Sequence, residues 1–218
     1  MNYYHLFILI NILNSIYSFK CGHNIIKKPE IKMVNLTNEE NIKSRGLSSS
    51  HSINIYIDYE ILQSQKNNGN ISSSYYSNLQ SVLNSTANYF SKLLTVDKSS
   101  SIKLTSNLFS SSGDYVVRSE VSNIIGKKIN ADLILIPKVY DFGWNIDAAA
   151  YANALSSSNH RPISGVVLLR SSYDFNQKNA KSYLIILLLH EITHVLGFTN
   201  ELFDFFQTND TLTKTNIY

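Results

Sequence analysis

The sequence predicts an α/β (α+β) domain, because short β-type apolar segments are mixed with two long helical stretches. Ile53, Ile55 and Ile57 alternate with Asn54, Tyr56 and Asp58, as on a half-buried strand. Leu79, Val82, Leu83, Ala87, Phe90 and Leu94 recur at helical spacing. A second helical stretch runs from Gln177 or Ala180 to Leu196. A chain of 218 residues, 44 % of them hydrophobic, is long and apolar enough to bury a real core.

In chain order, residues 1–18 read as a signal peptide. Their apolar stretch, Leu6 to Leu13, is too short to span a membrane, and Ser18 suits the cleavage position. Sequons at Asn35, Asn70, Asn84 and Asn209 are compatible with secretion. Residues 19–50 lack periodicity and read as a propeptide-like segment, leaving 51–218 as the main domain. Within it, 51–61 is expected as a strand, 65–74 as a polar loop around Gly69, and 76–94 as an amphipathic helix. Residues 102–104 are a short strand candidate, and 131–139 (ADLILIPKV) a buried strand ending near Pro137. The Ala-rich 147–155 is expected as a helical turn or irregular crossover, and 163–169 (ISGVVLL) as a strand entered through Pro162.

Composition removes several functions. A net charge of +3 without a basic run argues against a nucleic-acid partner. The single cysteine excludes an internal disulfide framework. No apolar stretch beyond the first eighteen residues is long enough for a transmembrane helix.

Residues 190–194 read His-Glu-Ile-Thr-His. On a helix, positions i and i+4 share a face, so His190 and His194 can reach one Zn²⁺. Glu191 then stands where a general base is needed. It takes a proton from zinc-bound water attacking a peptide carbonyl and passes it to the leaving amine. Tyr183 to Leu189 is continuously apolar, which predicts a helix buried on all sides. Gly197, three residues after His194, predicts a sharp turn there.

With these residues in place, the chain resembles the leishmanolysin-like family of secreted or surface zinc endopeptidases, a branch of the metzincins. HEITHVLGF at 190–198 carries the resemblance, supported by INIYIDY at 53–59, ADLILIPKVYD at 131–141, AAAYANA at 148–154 and RPISGVVLL at 161–169. The likeness covers roughly residues 50–206. It implies the amino-terminal subdomain of a zincin: a twisted mixed sheet, a backing helix, a buried active-site helix, and an edge strand that pairs with substrate. Residues 163–169 are the candidate for that edge. The resemblance also implies protein or peptide substrates and a secreted or cell-surface location. Lys20-Cys21-Gly22-His23-Asn24 is similar to the family's propeptide cysteine motif, in which the thiolate fills a zinc position and keeps the enzyme latent. An ordinary unpaired thiol is the alternative for Cys21.

The chain departs from the family after His194. Position 200 is Asn200 where compact metzincins carry a third His, no His follows His194, and no Met follows Met33. His160, Glu201, Asp204 and Asp210 are poor substitutes, Asp210 the least so. The simplest expectation is a chain truncated after the active-site helix, binding zinc weakly through two imidazoles and cleaving little. Three functions remain open: a zinc endopeptidase, a secreted pseudoprotease that acts in protein binding or cell adhesion, and a small secreted glycoprotein with an accidental motif.

Overall fold

The computed structural model describes residues 20–36, 50–97, 101–109, 115–142, 146–199 and 202. The expected signal peptide and Glu201, Asp204 and Asp210 lie outside the described residues, as do 37–49 of the expected propeptide-like segment.

Among the described residues the structure is mixed α/β, with three α-helices and one main sheet. Its strands are β1 (Lys32–Val34), β2 (Ser50–Ser52), β3 (Ile55–Ile57), β4 (Thr95–Asp97), β5 (Ile102–Lys103), β6 (Lys128–Ile129), β7 (Leu133–Tyr140), β8 (Ala148–Ser156) and β9 (Pro162–Arg170). The helices are α1 (Glu60–Asn67), α2 (Ser73–Leu93) and α3 (Ala180–Val195). The main sheet has five strands in the order β1-β8-β9-β7-β3. All its neighbours are parallel except β8 and β9, which form an antiparallel hairpin. β2 pairs with β4, and β5 with β6, as two small antiparallel ribbons.

Side-chain alternation in β7 and β9 sends one set of apolar residues to each face of the sheet. Leu133, Leu135, Val167 and Leu169 join α2 and α3 in one core. Ile134, Ile136, Val166 and Leu168 meet Ile102, Leu104, Phe109, Val121 and Ile124 in the other. Helix α2 begins at an N-cap Ser72, whose side chain accepts from the Tyr75 amide at 3.1 Å. It buries Leu79, Val82, Leu83, Ala87 and Phe90, the residues its periodicity marks.

Several expectations are corrected. The single strand over 51–61 is two strands, β2 and β3, in different sheets, and Glu60 already opens α1. Helix α1 also takes the first part of the expected 65–74 loop. The expected helical turn or crossover at 147–155 is instead occupied by strand β8 from Ala148 onward. Small Ala side chains are helix-compatible in isolation, but here they let both faces of a central strand be closely covered, and β8 is buried throughout. Residues 163–169 are not an edge strand: β9 lies between β8 and β7. Pro137 does not end β7. Its missing N–H costs nothing, because β3 pairs with β7 only as far as Leu135, and beyond that Gln65 Nε2 and Oε1 bond to Val139.

Candidate metal centre

Helix α3 carries the His-Glu-x-x-His stretch in its last two turns. The helix is seated by β9, where Gly165 leaves room for Val195: a Cβ at Gly165 would lie 2.2 Å from Val195 Cγ1. Leu184, Leu187, Leu188 and Ile192 face the sheet and α2, whereas Ile185, Ile186 and Leu189 are half-buried, so the helix is not buried on all sides as expected. The chain turns at Gly197 (φ 107°), and the Phe198 amide returns to Thr193 O at 3.2 Å.

This turn sets one histidine. His194 Nδ1 faces the Phe198 carbonyl at 3.0 Å, and a carbonyl only accepts, so the proton is assigned to Nδ1 and Nε2 keeps its lone pair. Nε2 of His194 lies 3.1 Å from Nε2 of His190 and 3.4 Å from Cys21 Sγ. The three donor atoms fall within 4.8 Å of one another. Cys21, His190 and His194 therefore stand close enough to hold a metal ion. The donor set also fits zinc: tetrahedral coordination at ordinary Zn–N and Zn–S lengths separates two nitrogens by about 3.3 Å, and nitrogen from sulfur by about 3.6 Å.

Electrostatics point the same way. Burial pulls His190 down to about 4 and His194 down to about 3, with nearby imidazoles adding to both shifts, so both rings are neutral near pH 7 and offer lone pairs. Burial, aided by the Glu191 carboxyl, pushes the Cys21 thiol well above its usual range. Burial also pushes Glu191 up to about 8, partly offset by the Cys21 thiol and the Ala150 backbone. Glu191 is 0 % exposed, and neither carboxylate oxygen has a hydrogen bond of ordinary geometry. Every group here is driven towards its uncharged form, and a bound cation is what would reverse this for the thiol and the carboxyl.

The expected site of two imidazoles thus gains a third protein donor, from a residue 169 positions before His190. Cys21 arrives because residues 20–34 cover the outer side of β8. Cys21 bridges to Ala148, the Gly22 amide donates to Ala148 O at 2.7 Å, and β1 pairs with Ala154–Ser156. His160 lies in the turn joining β8 and β9, with φ 56°, and is not part of the metal-ligand cluster.

Sequence reasoning placed His23 in the Cys-Gly-His stretch but gave it no contact of its own. Its ring stacks on His194 with centroids 4.1 Å apart and 15° between planes, and its Nδ1 meets Ala150 O at 2.8 Å. The Cys-x-His spacing was the available signal, since residues i and i+2 of an extended chain point the same way. A scan against protein-family models and a search of curated proteins each find no match to this chain.

Proposed function

We propose that this chain is a zinc metallopeptidase of the leishmanolysin-like kind, held latent by its own residues 20–34, and that its fold is the amino-terminal subdomain of a zincin. The observation that carries this reading is the convergence of His190 Nε2, His194 Nε2 and Cys21 Sγ, with Glu191 buried on the same helix end. Zinc, when bound, polarises a substrate carbonyl and acidifies water. The two imidazoles hold the ion, and the Phe198 carbonyl fixes the His194 tautomer. Cys21 occupies a ligand position that substrate needs, so the chain in this arrangement is closed. Once the segment leaves, the Glu191 carboxylate takes a proton from water and returns it to the nitrogen of the departing amine. The role expected of 163–169 passes to β8, whose outer side would receive an extended peptide by strand addition. Secretion, or association with a cell surface, belongs to the same reading. Among the described residues no helix is long and apolar enough to cross a membrane.

A second reading has its own support. The third donor among the described residues is the Cys21 sulfur and not a third imidazole. A Cys-His₂ set whose thiolate stays bound also suits a pseudoprotease that keeps a metal and binds other proteins.

One experiment separates them. The full chain is loaded with Co²⁺ to report thiolate ligation by its charge-transfer absorption, then with Zn²⁺, and assayed on a quenched peptide with and without alkylation of Cys21. Cleavage that appears on alkylation and vanishes in Glu191→Ala supports the peptidase. Thiolate ligation without cleavage in either state supports the pseudoprotease, and absence of metal binding removes both.

A further inference from the structure

We infer that His23 is a second clasp, holding residues 20–34 on the outer side of β8 independently of Cys21. The segment begins as a strand partner, through the Cys21–Ala148 bridge and the Gly22 amide on Ala148 O, and resumes as one at β1. In between, the main chain turns away, because the Ile25 and Ile26 amides both donate to Gly22 O, at 2.8 and 3.0 Å. Past this turn the backbone no longer serves Ala150 O, and the His23 side chain supplies the donor instead.

The ring is fixed on three sides. Nδ1 donates to Ala150 O at 2.8 Å, and Nε2 accepts from Lys28 Nζ at 2.8 Å. A carbonyl only accepts and an ammonium only donates, so the tautomer is assigned with the proton on Nδ1. One ring face lies on His194, and His23 is 5 % exposed. None of these contacts uses Sγ. The His23 amide links the two clasps by donating to Cys21 Sγ at 3.4 Å.

The Ala148 and Ala150 carbonyls are the acceptors that an incoming extended peptide would use, and the segment occupies both. Breaking the thiol contact alone therefore leaves β8 covered, and uncovering it requires displacement of the His23 ring as well. This inference rests on how the segment sits and not on the peptidase reading, and it is tested without metal.

The test is amide hydrogen exchange on the full chain in chelator, reading residues 20–34 and β8, with α3 amides as the control for global unfolding. Cys21→Ser should change exchange of the Gly22 amide by less than about twofold. His23→Ala should speed it about tenfold, as expected for losing one buried hydrogen bond and its packing. His23→Asn, which keeps a side-chain N–H for Ala150 O, should recover part of the protection, and Lys28→Met should fall between wild type and His23→Ala. Unchanged exchange in His23→Ala, or Cys21→Ser alone opening the segment as fully as the double variant, overturns the inference. If His23→Ala does not fold, Lys28→Met decides, and wild-type exchange there refutes the clasp. Failure to bind zinc or to cleave peptides leaves these rates untouched, so the two readings fail separately.

Discussion

Val195 and Gly165 lie in such close contact that a single methyl group added at Gly165 would stand 2.2 and 2.8 Å from the two Val195 methyl carbons. The same Cβ would meet the Tyr151 carbonyl oxygen at 3.0 Å, so it cannot escape sideways. Helix α3 is thereby set at a fixed height on β9, one residue after His194.

Gly165→Ala tests that seating. The helix must lift or Val195 must move, and overpacking of this kind costs about 1–3 kcal/mol. The unfolding free energy should fall by that amount, moving the denaturation midpoint down at an unchanged m-value. Metal affinity should fall as well, because the last turn of α3 carries His194. Val195→Ala in the Gly165→Ala background should restore part of both. Loss of stability with wild-type metal affinity would separate helix height from the centre.

Asp132 offers a second test away from the centre. It is 1 % exposed, accepts from the Asn54 amide at 2.8 Å, and pairs with His51 Nε2 at 2.9 Å, with Arg161 at 3.7 Å. Asp132→Ala removes the acceptor of the Asn54 amide and the ion pair of the half-buried Arg161 guanidinium, which keeps its bond to the Asp132 backbone carbonyl, a loss of about 1–3 kcal/mol. Asp132→Asn should recover the Asn54 contact and less than half of the stability. Chemical denaturation of the three proteins measures the order.

The long-range features were hidden from the sequence for identifiable reasons. Local period marked α2 well, because its apolar residues must recur at helical spacing to reach one core, whereas α3 showed as a continuous apolar run leading into the i, i+4 histidines. It failed at Ala148–Ser156, where Ala locally favours helix and the strand exists because β9 and residues 20–34 flank it. The edge strand that the family resemblance implied was assigned to the wrong segment, since strand order is a tertiary property that composition does not encode. His190, Glu191 and His194 were legible because four-residue spacing on a helix is a geometric rule. The approach of Cys21 to them was suggested only by a family resemblance. The Phe198 carbonyl, which orients His194, carries no motif signal, and the His23 ring, which covers it, was marked only by its place in the Cys-Gly-His stretch.

Glu191 predicts a stability profile of known sign. Burial raises its folded-state value to about 8, from an ordinary 4.5, so in metal-free protein the folded state holds its proton longer than the unfolded chain does. Its contribution is therefore most favourable below about 4.5 and is lost as pH rises through about 8. Glu191→Gln removes this titration. The variant's stability relative to wild type should climb between those two pH values and level off above them, measured by denaturant titration in chelator. A flat difference across that range would show that the carboxyl is not desolvated as its burial indicates. The same substitution should abolish any peptide cleavage, because the amide cannot take a proton from water.

Metal loading should reverse the protonation of the centre, and this predicts a quantity that can be counted. Without metal, burial keeps the Cys21 thiol protonated and holds Glu191 mostly protonated at pH 7. The two imidazoles are already neutral and have no proton to give up. A divalent cation needs the thiolate, and its field favours an ionised Glu191. Zinc binding at pH 7 should therefore release between about one and two protons, read from the buffer dependence of the calorimetric enthalpy. Cys21→Ala should lower that count by about one and weaken affinity by more than tenfold, because only two protein ligands remain. Glu191→Gln should remove only the remaining fraction and leave the affinity close to wild type. The fraction released by Glu191 should shrink at pH 9, where the carboxyl is already ionised, while the thiol's proton is still released in full. A count that does not change in Cys21→Ala would place the thiol outside the metal's coordination.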